Sequence, residues 1–277
     1  MIFRAILALA LLTSTILAAS PPRHTGTLPR PTIAWISDSG DEATVERLRH
    51  QLPADITVVK LKWGHLENHH LCDKPLEERK EDVQFMEDRA MAFARRTLDR
   101  LGEFDVVVAS VKPGSHKDLE LDERLKEHAE AGGKLIFINP SWEIYFKDSP
   151  LADVMPVRFD GRTRAWTMGM LGATDHPLAR GLALGVVGTK FWGPVYEPVN
   201  DACQPLSTND ERRARYWYRK LPGDGEVVHL YHAFGQNHAW GEATNYERYE
   251  PLRPDDSAIW PAFMRRLVYG LTYGDAA

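Results

Sequence analysis

The chain has 277 residues, of which 43% are hydrophobic and 26% are charged, and its formal net charge is -5. This composition excludes an intrinsically disordered chain, and the mild negative charge excludes the basic surface that general nucleic-acid binding requires. The length suits one large domain, and we expect no nucleic-acid partner.

The first 20 residues have the pattern of a secretory signal peptide. Arg4 precedes an apolar run from Ala5 to Ala19, and Ser20 follows two alanines at a candidate cleavage site. A transmembrane helix usually needs about 20 apolar residues, so we expect cleavage rather than a permanent anchor. We therefore predict a secreted or periplasmic protein without a stable membrane span after processing. The signal peptide covers 1–20, a linker covers 21–30, and a single domain covers 31–275.

Four apolar segments predict buried strands, and segments with helical spacing separate them. The predicted strands are Thr32–Ile36, Ile56–Leu61, Phe104–Val111 and Lys134–Ile138. The apolar faces of the intervening helices carry Val45, Leu48 and Leu52, then Val83, Met86, Ala90, Phe93, Ala94, Leu98 and Leu101, and finally Leu121, Leu125 and Ala129. The alternation predicts an α/β fold with a doubly wound, mostly parallel, flavodoxin-like sheet and flanking helices.

An insertion of about residues 63–101 follows the second strand. Pro75 is suited to the start of its helix, which we expect to end near Gly102. Because the insertion leaves the carboxyl end of a strand, we predict that it lies over the ligand-binding edge of the sheet.

The second half of the chain predicts a hairpin and a closing helix. Two strands, Ala214–Arg219 and Glu226–His232, flank a turn formed by Pro222, Gly223, Asp224 and Gly225. We expect this hairpin to be a C-terminal elaboration. The last helix is predicted from about Ser257, with Pro261 in its first turn, and its inward face consists of Phe263, Leu267, Val268 and Leu271.

The two cysteines, Cys72 and Cys203, are candidates for one disulfide in an exported protein. The alternative is two unpaired thiols that are buried as small apolar side chains.

Four stretches carry a resemblance to a known family. Phe104 to Gly114 is similar to a strand that enters a Pro-Gly turn, Gly132 to Trp142 to a strand with a nucleophile elbow, and Gly225 to His232 to the late strand that delivers a histidine. The segment from Asp175 to Leu182 is similar to a His-Pro-Leu phrase of the branches without amidotransferase activity. The chain thus resembles the class I glutamine amidotransferase-like superfamily, in particular its trehalose-utilisation-type (ThuA-like) branch.

The departures from this family concern its chemistry. Alignment of the strands places Asn139 where the family has its nucleophilic cysteine, and an amide is not a useful nucleophile. The family's histidine is followed two residues later by a glutamate, whereas His232 is followed by Ala233 and Phe234. The resemblance therefore implies the fold without glutamine hydrolysis.

Our first hypothesis is an exported protein that binds a small polar ligand at the carboxyl edge of the sheet. The ThuA-like resemblance and the aromatic side chains Trp240, Tyr246 and Tyr249 favour a carbohydrate-derived ligand. The candidate site residues are Asp38, Lys112, Asn139, Ser141, Trp142, His232 and His238.

Two alternatives remain open. One is a hydrolase that uses Ser141 as nucleophile and His232 as base, or zinc or another divalent metal held by His65, His69 and His70. The other is a non-catalytic, partner-binding module of the cell envelope. Outside the metal alternative we expect no cofactor, and the sequence leaves the ligand and the oligomeric state open.

Overall fold

The structure is a computed structural model that describes residues 28–38, 42–61, 80–138, 146, 148–208, 216–230 and 259–274. Arg30–Asp275 form one compact unit, which contains all of the elements given below. Met1–Pro29 form a separate unit, of which only residues 28 and 29 are described. The predicted signal peptide and most of the predicted linker therefore lie outside the described residues.

The described elements alternate between strands and helices in the first half of the chain and are mostly strands in the second. The strands are β1 (Thr32–Ser37), β2 (Asp55–Lys60), β3 (Val106–Ser110), β4 (Lys134–Ile138), β5 (Val157–Ala173), β6 (Ala183–Pro198), β7 (Cys203–Pro205), β8 (Ser207–Thr208), β9 (Tyr216–Lys220) and β10 (Glu226–Leu230). The α-helices are α1 (Glu42–Gln51), α2 (Lys80–Leu98), α3 (Leu121–Glu130) and α4 (Ile259–Tyr273). Short 3₁₀ helices cover Leu101–Glu103, Lys117–Leu119 and Pro150–Asp153.

The main sheet has seven strands in the order β2-β1-β3-β4-β10-β9-β7. The first five strands of this order run parallel, and β9 and β7 continue the sheet in antiparallel pairs. The prediction of a doubly wound, mostly parallel α/β sheet is confirmed. Because parallel strands end at one edge, the residues that follow β1, β3, β4 and β10 share the carboxyl edge of the sheet.

One face of the sheet packs on α2 and α3. Alternate strand residues such as Ala34, Val107 and Phe137 join helix residues in one hydrophobic cluster, and all three are fully buried. The helix residues of the cluster are Ala94, Leu98, Leu121, Leu125 and Ala129. Side chains alternate across a strand, so this cluster contains every second residue of each strand. Strands that are apolar at consecutive positions, as these are, have both faces covered.

The opposite face is covered by α1 and α4. Val45, Leu48 and Leu52 are buried as predicted, and so are Phe263, Leu267, Val268 and Leu271 of α4. The ring of Phe263 stacks on Tyr216 of β9 with 5.4 Å between centroids. The Tyr269 hydroxyl donates to the carbonyl of Pro53, 2.8 Å away, which ties α4 to the end of α1.

The predicted hairpin is confirmed, but its place in the fold is more central than expected. β9 and β10 are antiparallel, and Leu221 donates its N–H to the carbonyl of Gly225 across the turn. β10 also pairs in parallel with β4, so the hairpin extends the main sheet rather than decorating it. At the start of these strands the register partners Lys134 and Glu226 form an ion pair, with Nζ of Lys134 2.7 Å from Oε1 of Glu226.

Two long strands were not predicted. β5 and β6 pair in antiparallel fashion with register shifts and form a second sheet with β8. Their sequences interleave glycines and charged residues with apolar ones, as in Arg158-Phe159-Asp160-Gly161-Arg162. Charged residues of β5 stand at alternate positions, Arg158, Asp160, Arg162 and Arg164, which is a period-2 strand pattern that the sequence analysis missed.

The insertion differs from expectation at Phe93. We predicted Phe93 on the apolar face of its helix, but its side chain is 40% exposed, whereas Ala94 and Leu98 are buried. The helix α2 is described from Lys80 onward, so Pro75 and residues 62–79 lie outside the described part. Among the described helices, none combines the length and apolarity that a membrane span requires.

Candidate functional site

The carboxyl ends of β1 and β3 bring two predicted site residues together. Asp38 directly follows β1, and its N–H donates to the carbonyl of Ser110, the last residue of β3, at 3.1 Å. The Lys112 N–H donates to Oδ2 of Asp38 at 2.9 Å. The Asp38 carboxylate therefore contacts the main-chain N–H of Lys112. Lys112 as a residue is exposed.

A tight turn follows Lys112 and directs the chain back toward Asp38. The carbonyl of Lys112 accepts the N–H of Ser115 at 3.1 Å, and Gly114 has a φ of 76°. A Pro-Gly pair at the centre of such a turn is typical of a type II turn, because proline presets φ at the second position and glycine accepts a positive φ at the third. The turn places His116 beside β1.

His116 and Asp38 form a buried pair. The Nε2 atom of His116 bonds Oδ1 of Asp38, and the two side chains are 8% and 12% exposed. The main chain of His116 is also fixed, since its carbonyl accepts the N–H groups of Leu119 and Leu121 at the start of α3. A carboxylate that orients an imidazole is an arrangement found in acid–base sites and in ligand-binding sites.

A second carboxyl group lies in the same region. Asp122, in the first turn of α3, accepts the N–H of Gly114 at 2.8 Å and the hydroxyl of Ser149 at 2.6 Å on the same oxygen, Oδ2. Burial raises the pKa of Asp122, against the lowering effects of these two hydrogen bonds and of the charge of His116. Asp122 therefore links the turn, α3 and the segment at Ser149 beside the Asp38–His116 pair.

Two serine hydroxyls lie at the same strand ends. Ser37 and Ser110 are register partners at the last positions of β1 and β3, and their residues are 3% and 1% exposed. Neither Oγ has a hydrogen-bond partner within the described part of the chain. Alternation along β1 and β3 puts these hydroxyls on the face that α1 and α4 cover, whereas the neighbouring residue Asp38 alternates to the other face.

A further buried histidine, His229, lies in β10 of the main sheet. Its ring stacks on Phe137 and meets Phe146 edge-on, with centroid distances of 6.4 and 5.9 Å. Complete burial lowers the pKa of His229 to about 3. A neutral imidazole among aromatic rings is part of the core rather than of the ligand edge.

Most of the other predicted site residues lie outside the described residues. The last residue of β4, Ile138, pairs with the last residue of β10, Leu230. In the sequence, Asn139 directly follows β4, and His232 stands two residues after the end of β10. The assignment of these two residues to a site stays a prediction. The residues of which nothing further is described are Asn139, Ser141, Trp142, His232, His238, His65, His69, His70 and Cys72.

The described residues contain no group of three or more His, Cys, Asp or Glu side chains arranged to hold a metal ion. The proposed ligands His65, His69 and His70 were not part of that search, because they are outside the described ranges.

Cys203 is one of the two cysteines of the predicted disulfide. It is a buried free cysteine in β7, and its Sγ donates to Oδ1 of Asn200 at 3.4 Å. Cys72 lies outside the described residues, so the disulfide between Cys72 and Cys203 stays a prediction beside the alternative of two unpaired thiols.

The sequence analysis missed His116, Asp122 and Ser149 as members of this edge. His116 carried a usable signal, because it closes the polar turn that follows an apolar strand. Asp122 and Ser149 carried none, since an acidic residue in the first turn of a helix and a serine before a proline are common structural features.

Comparisons with known proteins add information on the fold. No family model matches this chain, and no curated protein matches it. Among solved structures, a ThuA-like protein from Parabacteroides merdae is 13% identical with a TM-score of 0.52, and the match covers 89% of this chain and 91% of that one. A ThuA-like protein from Bacteroides uniformis is 10% identical with a TM-score of 0.50, over 90% and 94% of the two chains.

Two further matches have lower TM-scores. A glutamine amidotransferase from Thermotoga maritima is 10% identical with a TM-score of 0.46, over 89% of this chain and 100% of that one. A β-galactosidase from Rahnella sp. R3 is 16% identical with a TM-score of 0.40, and the match covers 73% of this chain but only 28% of the enzyme.

At these identities the likeness concerns the fold alone. The seven-stranded sheet, its flanking helices and the two ThuA-like structures agree with the resemblance that the sequence motifs carried. The chain has a class I glutamine amidotransferase-like fold.

Proposed function

We propose that this protein is exported and binds a small, polar, carbohydrate-derived ligand at the carboxyl edge of its main sheet, without glutamine hydrolysis. The observation that carries the proposal is the buried Asp38–His116 pair, which stands where β1 and β3 end. Ligands of open α/β sheets bind at this edge. A carboxylate that orients an imidazole at such an edge is an arrangement that recurs in functional sites.

The lack of glutamine hydrolysis rests on the residues after β4. The strand ends at Ile138, and the next residue is Asn139 rather than a cysteine. Acyl transfer by the amidotransferase mechanism needs a thiolate at this turn, and an amide cannot form the covalent intermediate.

The carbohydrate-derived ligand is supported by the ThuA-like resemblance of the motifs and by the aromatic and amide residues that neighbour His238 in the sequence. Export is supported by the apolar run after Arg4. Cell fractionation with detection of the amino terminus of the mature chain tests export, and an intact Met1 in a cytoplasmic fraction contradicts it.

Thermal unfolding in the presence of a panel of neutral mono- and disaccharides tests binding. A ligand at 100 times its dissociation constant adds about 2.7 kcal/mol of stability, which raises the melting temperature by several degrees. We expect such a shift with at least one sugar and no ammonia release from glutamine. His116→Gln is the site variant, and His50→Gln, which changes an exposed histidine of α1, is the control.

The same experiment separates the alternatives. A shift with zinc alone that a chelator reverses favours the hydrolase with a metal at His65, His69 and His70. Sugar turnover that is lost in both Ser141→Ala and His232→Ala favours the serine hydrolase. A flat panel combined with stable capture of an envelope protein favours the partner-binding module.

A further inference from the structure

The two oxygens of Asp38 are both used inside the protein. Oδ2 accepts the main-chain N–H of Lys112, and Oδ1 bonds Nε2 of His116. The Asp38 side chain is only 12% exposed. Both carboxylate oxygens of Asp38 are therefore occupied by neighbouring groups, one of which is the His116 imidazole.

The partner of Nε2 decides where the neutral imidazole carries its proton. An ionised carboxylate can only accept hydrogen bonds, so Nε2 donates and the other ring nitrogen, Nδ1, keeps its lone pair. Within the described ranges, the imidazole makes no hydrogen bond besides the one to Asp38. Nδ1 is thus an acceptor that a ligand hydroxyl or a water molecule can use.

The charge beside the imidazole restricts the ligand. Oδ1 of Asp38 is in contact with Nε2 of His116, so a carboxylate lies directly beside the imidazole. The carboxylate of Asp38 disfavours an anion at the same imidazole by like-charge repulsion. A neutral ligand with a hydroxyl donor suits this position.

The following inference rests on the proposed function. We propose that His116 contacts the ligand and that its Nδ1 accepts a hydroxyl of a neutral polyol. Asp38 is the positioning residue of His116. This assignment replaces the expectation that Asp38 touches the ligand directly. It adds His116, which the sequence motifs did not select.

The test uses the full chain labelled with ¹⁵N-histidine and long-range proton–nitrogen correlation spectra at pH 8. We expect His116 in a single tautomer with the proton on Nε2 and a bare Nδ1. Neutral sugars of the panel should shift the Nδ1 resonance of His116 to saturation with the dissociation constant found by thermal unfolding. The resonances of His128, a buried histidine at the opposite end of α3, should not move. The matched sugar acid should bind at least tenfold more weakly.

Asp38→Asn tests positioning, because asparagine is isosteric but can present its NH₂ group to the ring. We expect a mixture of His116 tautomers and weaker sugar binding in this variant. If this variant does not fold, the spectrum of the wild-type protein still reports which ring nitrogen of His116 carries the proton. A proton on Nδ1 in the wild-type protein overturns the inference.

The outcomes separate this inference from the proposed function. A sugar that stabilises the protein without moving the His116 resonances supports the function and refutes the role of His116. A flat sugar panel refutes the function, and a mixed tautomer in the wild-type protein refutes positioning by Asp38 independently of any ligand.

Discussion

The imidazole of His116 bonds the carboxylate of Asp38, a residue 78 positions earlier in the chain. The contact joins the turn after β3 to the end of β1. Lys112 adds its main-chain N–H to the same carboxylate, so one side chain fixes both ends of this turn. The carboxyl edge thus has a preorganised hydrogen-bonding group rather than a mobile one.

Asp38→Ala should destabilise the protein. The substitution leaves the Lys112 N–H and the His116 ring without their acceptor in a buried place, and losing a buried partner costs about 1–3 kcal/mol per group. We expect the free energy of unfolding to fall by about 2 kcal/mol or more, as measured with urea. Asp118→Ala is the matched control, because Asp118 is an exposed acid in the same loop. Equal effects of the two substitutions would contradict a structural role of the pair.

Gly114→Ala should destabilise the turn through its backbone alone. The φ of Gly114 is 76°, and a Cβ added there meets no atom within 4 Å. A non-glycine residue in this left-handed region costs about 1–2 kcal/mol. Gly102→Ala provides the control, since a Cβ there also meets nothing and its φ is not positive. A difference of less than about 0.5 kcal/mol between the two unfolding free energies would speak against the turn geometry.

Ser37→Ala and Ser110→Ala should each stabilise the protein. Both hydroxyls are buried, with no hydrogen-bond partner in the described part of the chain, and alanine removes this desolvation cost. We expect a gain of about 1 kcal/mol in the free energy of unfolding. Ser149→Ala should have the opposite sign, because its hydroxyl donates to Asp122 and accepts the N–H of Leu151. Loss of stability in Ser110→Ala would show that its hydroxyl is bound.

His229 should make the protein sensitive to acid. Its folded pKa is about 3, whereas an unfolded histidine has a pKa of about 6.5. Between these values the unfolded chain binds a proton that the folded protein does not, so stability is complete above pH 6.5 and falls as the pH decreases. The slope from this residue is about 1.4 kcal/mol per pH unit.

His229→Gln should remove that slope, because the amide does not titrate. We therefore expect the difference in unfolding free energy between pH 6 and pH 4 to be smaller in the variant. His50→Gln, at an exposed position, serves as the control. Parallel pH profiles of His229→Gln and the wild-type protein would contradict burial of a neutral imidazole in β10.

The sequence determined the alternation of strands and helices in the first half of the chain. Lys134–Ile138 was predicted with its observed bounds, and Leu121, Leu125 and Ala129 are buried as their spacing indicated. These features follow from local apolar periodicity, which the chain carries wherever an element is buried. The inward face of α4 was predictable for the same reason, and the hairpin turn at Pro222 to Gly225 was predictable from its proline and glycines.

Tertiary structure alone decided which residues meet. The bond between His116 and Asp38 arises because β1 and β3 are parallel neighbours, and strand order is a property of the whole sheet. Likewise, β5 and β6 pair with each other along most of their length, and which strand becomes the partner of another is a property of the whole fold. Phe93 matches the apolar spacing of its helix but is exposed, because burial depends on the partner surface and not on the periodicity of the chain.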